Sequence, residues 1–461
     1  MKKLLLLVVM AACHSTLSAQ GALNMSLLAR WDDDSLPIAS PNNLRLQYSG
    51  CWAMALNGRE YAILGGARHV LVFDITDPVA PALIGKFAGN QTTVWREFKS
   101  YEGRFYAVSD ATTEGMMILD MRQAPDTIIQ SYFSNALFNS SHTITLDTTS
   151  GRIYLNGSNA MNQGLLILDV KTNPDTPSLL SAVNLAAIGA GGYVHDSYVQ
   201  RDTVFASCGF LGLFAVDCTD PLNCKPLGQI ETGGYNHNAW ASADGRYLYY
   251  TEEIPDGRPI QIVSIADLSE GLIGRGSFLD NLLDPDASVP KAIPHNVYIQ
   301  GNLLFNSQYE DGLLVYDIAD PVNPVLVAYY DTHPQNTVYN GYFGNWGNYP
   351  WLPSGTIVAG DMQNGLYLLR LDPEVGTAAP AAGPAITVFP NPARTSVHVS
   401  VAPSALPARI QVFDARGVPV YAQDAFSQQV DMSTTKWAPG VYRVAVYSQG
   451  GVSTRQVVVV R

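Results

Sequence analysis

Short apolar runs of strand length recur along this chain, and each stops at a turn signal. LVFDITDPVAP from Leu71, LILDVKTNPDTP from Leu166, LFAVDCTDP from Leu213 and LLVYDIADPVNP from Leu313 are the clearest copies; weaker ones start at Met117, Ile262 and Leu366. Asp ends the best of these runs, because its side chain bonds the backbone two residues on, and the following Pro withholds a ladder donor. A turn glycine (Gly164, Gly212, Gly312, Gly365) precedes several of them. Upstream of each run lies a strand pair, starting at Cys51, Trp95, His142, His195, His237, His295 and Trp346; downstream comes a fourth strand, such as ALIGKFAG from Ala82. Seven units of about four strands, each roughly 40–58 residues long, predict a β-propeller over residues 25–373. A solenoid would have a shorter period and capped ends. Unit seven stops after its third strand, and MSLLARWDD from Met25 is expected to complete it and seal the ring. Units two and five are degenerate, so six or eight blades also fit.

The pattern changes after Asp372. Residues 374–384 are rich in Ala, Pro and Gly and read as a linker. Residues 385–461 alternate apolar and polar positions at period two, which predicts a small antiparallel β-sandwich. The fold class is therefore all-β throughout. At the other end, Lys2, Lys3 and the apolar run Leu4–Ala12 form a secretory signal, residues 1–19; a lipoprotein signal using Cys13 is the alternative.

Composition narrows the function. With 15% charged residues and a net charge of −13, the chain lacks the basic surface that nucleic acid requires. No later segment has 18 unbroken apolar residues, so no membrane-spanning helix is expected in the mature protein. Export allows disulfides, and Cys218 and Cys224, flanking an Asp-Pro turn, are the expected pair. A zinc site there is the weaker reading, since no close CxxC pair occurs. GxSxG, HExxH and phosphate-cradling glycine loops are missing from the sequence.

The Gly-Leu…Asp-Ile-x-Asp-Pro units resemble the LVIVD-repeat propellers of bacterial surface proteins of the choice-of-anchor-B type, a resemblance that implies a propeller and no particular activity. The C-terminal residues Phe389-Pro390-Asn391-Pro392-Ala393, Val412-Phe413-Asp414 with Gly417, and Pro439-Gly440-Val441-Tyr442 resemble the type A sorting domain of the type IX secretion system. That resemblance implies passage across the outer membrane of a diderm bacterium, with the secretion machinery as partner, and release or surface attachment afterwards. An ordinary carbohydrate-binding or Ig-like module is the competing reading.

Candidate chemistry lies in the repeat itself. Aligning the units on their second strands places Arg96, His142, His195, His237 and His295 at one level, where the innermost strand begins. These residues would form a collar at one mouth of the central channel. His195, His237 and His295 could hold a divalent metal, or the imidazoles with Arg96 an anionic ligand. Equally, a residue repeated in a repeat fold solves a repeated packing problem. Two weaker features are EEIPDGRP from Glu252, read as a solvated turn rather than a cation loop, and the aromatic YNGYFGNWGNYPWLP from Tyr339, read as the packed lead-in to the last blade rather than a sugar platform. The expected function is an exported binding module whose ligand or protein partner sits on a propeller face. The alternative is a hydrolase or lyase using the histidine collar, with or without a metal.

Overall fold

The computed structural model describes residues 21–39, 44–372, 386–403, 406, 408–413, 419–448 and 451–460. The expected signal segment, the linker and the Asp414 and Gly417 positions lie outside these residues. The chain divides into two compact units, with the boundary between Asp372 and Pro373. Strands make up nearly all of the regular structure, with short 3₁₀ turns at Ala186–Ile188 and Leu268–Glu270.

In the first unit, consecutive strands form seven antiparallel sheets. Blade one spans 48–88, blade two 96–134, blade three 143–184, blade four 196–230, blade five 236–278 and blade six 296–330. Blade seven pairs Asn345–Tyr349, Ile357–Asp361 and Gly365–Leu371 with the N-terminal strand Met25–Trp31, in a register from Met25 opposite Leu371 to Trp31 opposite Leu366. The expected closure by MSLLARW is therefore present, and the edge of Gly365–Leu371 is covered by it. A further short strand, Ala22–Leu23, adds itself to the outer edge of blade six through Tyr329 and Tyr330.

The turn chemistry is what the repeats suggest. Asp74, Asp169, Asp217 and Asp317 each end a third strand, and a carboxylate oxygen of each accepts the backbone N–H two residues on at 2.8–3.0 Å. That bond closes the turn and stops the ladder. Every blade also carries a register shift between its third and fourth strands, for example at Val72/Phe73 and Val315/Tyr316. Such bulges increase twist, which lets flat sheets fan around an axis. The core is accordingly split into layers between neighbouring blades, such as Trp52, Ile63, Phe98, Phe105 and Leu119 between blades one and two, or Tyr249, Ile262, Val297, Leu304 and Tyr316 between blades five and six. Cys218 and Cys224 are joined by a disulfide across their turn, while Cys51 and Cys208 are free and buried.

The second unit is a β-sandwich. One sheet contains Ile386–Phe389, Ser396–Val401 and Gln429–Ser433; the other orders Pro419–Ala425, Ala408–Phe413, Gly440–Ser448 and Gly451–Val459. Val397, Val399, Ile410, Val412, Val444, Val446 and Val457 meet in one buried core between them, as period-two alternation requires. The Pro-Asn-Pro-Ala segment is tied to the last strand, where Ala393 N–H donates to Val458 and Val460 N–H donates back.

Candidate functional site

The starts of the first strands bring six side chains into an arc that runs from blade to blade. Trp95, His142, His195, His237, His295 and Trp346 follow one another, one from each of blades two to seven. The three His–His ring centroids are each 4.2 Å apart. His142, His195 and His295 sit just before their strands, and their N–H groups donate to the second strand of the same blade. His237 lies inside a register shift between Asn236 and Ala239, and this bulge aims its ring into line with its neighbours. The Trp346 indole donates to Glu97 Oε1 at 2.7 Å, linking the arc back to blade two. Gly50 of blade one leaves room for that carboxylate, since a Cβ there would meet it at 2.8 Å.

The imidazoles are oriented by a chain of backbone contacts. Nδ1 of His195 bonds the His237 carbonyl at 3.1 Å, Nδ1 of His237 bonds the His295 carbonyl at 3.1 Å, and Nδ1 of His295 bonds the Trp346 carbonyl at 2.5 Å. His142 Nδ1 faces Asp110 Oδ2 at 2.9 Å. Carbonyl oxygens only accept, so Nδ1 carries the proton and Nε2 keeps its lone pair. The packing role and the binding role thus fall on different nitrogens of one ring. Burial holds His195 and His237 far below the usual imidazole range, with repulsion from neighbouring histidines adding to it, and burial brings His295 down to about 3. These three rings are neutral at ordinary pH. His295 Nε2 is buried and has no hydrogen-bond partner.

Beneath the arc lies a second polar level. Glu97, Asp196, Thr143, Asn296 and Lys99 line the same small cavity, whose volume is ≈ 10 Å³, about enough for one water or ion. Burial raises the Glu97 carboxyl to about 7, and burial also raises Asp196. Asp196 accepts from Thr143, Asn238 and its neighbour Ser197 N–H at 2.8–3.0 Å. Lys99, partly exposed to the cavity, puts its ammonium 4.0 Å from the centre of the Trp52 ring, and burial lowers its pKa. Deeper still, Trp52, Trp240, Tyr298, Tyr349 and Trp351 pack edge to face or tilted with centroids 4.9–5.7 Å apart and fill the space between the inner strands. The segment from Tyr339 supplies two of these rings, Tyr349 and Trp351, and so packs.

Two expectations need correction. Arg96 is aligned with the histidines but does not join them. The blade-two ladder continues through Arg96, which pairs with Ser109, so strand alternation turns its side chain away from Glu97 and between the blades. There Arg96 Nη1 lies 2.7 Å from Glu114 Oε2, both side chains being 3% exposed, and the guanidinium also donates to the Gly66 and Gln91 carbonyls. Glu252 and Glu253 are not a solvated turn. Glu252 is fully buried against Arg258 at 2.9 Å, while Glu253 turns to the arc, its Oε2 4.0 Å from His237 Nε2. His237, His295 and Glu253 are the group whose ligating atoms lie within 4.8 Å of one another; His195 stays in the arc outside that trio. Glu253 directly follows the second strand of blade five, Tyr247–Glu252, and lies outside the aligned column of histidines.

Residues 387–460 match the secretion system C-terminal sorting domain family, and residues 294–332 match the LVIVD repeat. No curated protein matches the chain. Among solved structures, the WD40 repeats of RRP9 are 8% identical over 74% of this chain and 99% of that one, with a TM-score of 0.51. The Cps50 (Swd1) β-propeller domain of Myceliophteria thermophila is 11% identical over 72% of this chain and 99% of that one, with a TM-score of 0.48. PorZ of Porphyromonas gingivalis, a surface component of the type IX secretion system, is 14% identical over 92% of this chain, with a TM-score of 0.46. This chain spans 61% of that protein's length. At such identities the likeness concerns the fold. The sorting-domain match marks the chain for type IX export to the surface or surroundings of a diderm bacterium. No helix among the described residues is long and apolar enough to cross a membrane.

Proposed function

We propose that this exported propeller is a binding module whose site is the channel mouth and whose ligand presents a positive centre there. The observation that carries the reading is the set of three neighbouring imidazoles, His195, His237 and His295, whose Nδ1 atoms each donate to a backbone carbonyl and leave the Nε2 lone pairs free. Glu97, Asp196 and Glu253 add carboxylates to the same region, against the single ammonium of Lys99. Electron-pair donors therefore outnumber groups that would greet an anion. The cavity has room for an ion and the aromatic cluster closes its inner end, which favours capture over passage.

The test is thermal unfolding of the purified full chain, stripped with chelator, against a panel of metal cations, ammonium ions, phosphate and acetate. Ligand at 100 times its Kd contributes about 2.7 kcal/mol. For a propeller of roughly 350 residues this is a rise of about 4 °C in Tm. Stabilisation by at least one cation and by neither anion is expected; stabilisation by anions alone would overturn the reading.

A further inference from the structure

We infer that the cation is a transition metal ion of the zinc type, held by Nε2 of His237, Nε2 of His295 and the carboxylate of Glu253. This assignment rests on the reading of the mouth as a cation site and narrows it to three ligands.

Several observations converge on the trio. Its ligating atoms already lie within 4.8 Å of one another. A tetrahedral ion with bonds of about 2.0–2.1 Å sets ligand atoms roughly 3.4 Å apart, a contraction that small rotations of two rings and a carboxylate supply. His295 is 1% exposed and its Nε2 meets no donor; a metal ion would satisfy a lone pair otherwise left unpaired in the interior. Both imidazoles already donate Nδ1–H to backbone carbonyls, the outer-shell arrangement that fixes tautomer and ring plane for metal-ligating histidine.

Glu253 is positioned in the same way. The Tyr309 hydroxyl donates to its Oε1 at 2.7 Å, and the Tyr309 ring packs on His295 with centroids 4.8 Å apart. Tyr309 holds a left-handed backbone, φ 36°, where blade four places Gly209, φ 58°, in the matching bridge to the next blade. A bulky residue is costly in that region. Blade six carries that cost at the residue whose hydroxyl orients Glu253, which makes Tyr309 a positioning residue. Two imidazoles and one carboxylate suit zinc and its neighbours, whereas magnesium and calcium want oxygen ligands throughout. Three protein ligands leave one position of a tetrahedral ion open.

The experiment is equilibrium dialysis and calorimetric titration of the chelator-stripped full chain with Zn2+, Cu2+, Ca2+ and Mg2+. One Zn2+ or Cu2+ per chain is expected, at least 100-fold tighter than Ca2+ or Mg2+. Glu253→Gln and His295→Asn should each weaken binding at least tenfold, and Tyr309→Phe, which keeps the ring, about tenfold with the metal stoichiometry unchanged. Near-UV circular dichroism in chelator confirms that each variant is folded. His398→Ala controls for a surface imidazole in the sorting domain and should leave the titration unchanged. Zinc binding that survives the Glu253→Gln/His295→Asn double variant overturns the assignment. Failure of zinc and copper together with stabilisation by calcium or ammonium also overturns it while sparing the cation reading; failure of every cation overturns both.

Discussion

Replacing Arg96 by Met tests whether the guanidinium belongs to the wall between blades or to the mouth. Arg96 and Glu114 form an ion pair at 2.7 Å with both side chains 3% exposed. The guanidinium also serves the Gly66 carbonyl at 3.1 Å and the Gln91 carbonyl at 2.9 Å. Removing one partner of a buried pair leaves an uncompensated charge and costs about 3–5 kcal/mol. Glu114 keeps only the Gln91 N–H at 2.6 Å and the more distant Ser109 hydroxyl at 3.3 Å, too little to hold a buried carboxylate. Unfolding entropy of about 2.1 cal/mol/K per residue over roughly 350 residues converts this to a fall of about 4–7 °C in Tm. Arg96→Met/Glu114→Gln removes both charges and should recover about half of the loss. The assay is thermal unfolding in chelator, with the zinc titration repeated on each variant, and the affinity should not change. A Tm within 1 °C of the parent, coupled with tighter zinc binding, would refute the placement and return Arg96 to the mouth.

Acidification should withdraw the share of the metal-free propeller's stability that its buried neutral histidines contribute. Burial lowers the folded pKa of His295 to about 3, so the unfolded chain takes up its proton first as pH falls below about 6.5. Stability present above that pH is lost on the way down, roughly 2–3 kcal/mol from His295 alone between pH 6.5 and 4.5. His195 and His237 act in the same direction; Glu97 and Asp311, raised to about 7, and Asp331, raised to about 6, gain on acidification and oppose them. Urea midpoints at pH 7 and pH 5 in chelator, for the parent and for His295→Asn, isolate the histidine share; an equal pH dependence of the two would contradict it. Deleting residues 21–31 removes the strand that pairs with Gly365–Leu371, and should lower Tm by several degrees and promote association, with a peptide of residues 22–32 restoring part of the loss; a melt identical to the parent would speak against closure by this strand. Truncation after Asp372 should retain the propeller inside the outer membrane, which fractionation of cells reads directly, whereas surface display of the truncated chain would show that 387–460 is not the address.

The repeat makes the blades legible in the amino-acid pattern itself. Each copy spends the same residues on the same problem: an inner strand, a terminal Asp that caps its own turn, and a bulged outer strand. The closing strand is legible too, because unit seven lacks what residues 25–31 can provide. Counting along the repeat places the four histidines at one level, where their rings form the arc. It goes astray at Arg96, where the ladder runs one pair further and alternation, rather than level, decides which way the side chain points. Glu253 and Tyr309 are harder. Glu253 acts from the loop after a second strand, outside the aligned column, and a left-handed tyrosine leaves no mark in a hydrophobic pattern. Which ring nitrogen is free also depends on the carbonyl of the next blade, a contact between residues 42–58 positions apart in the chain.

The most direct measurement is anomalous X-ray diffraction from crystals of the zinc-loaded chain, collected on both sides of the zinc absorption edge. A single strong peak among His237 Nε2, His295 Nε2 and the Glu253 carboxylate, about 2.0–2.2 Å from each, is the expected result. A zinc-loaded crystal with no peak in the mouth, or with its peak only at surface residues such as His398 and Asp431, would contradict the account.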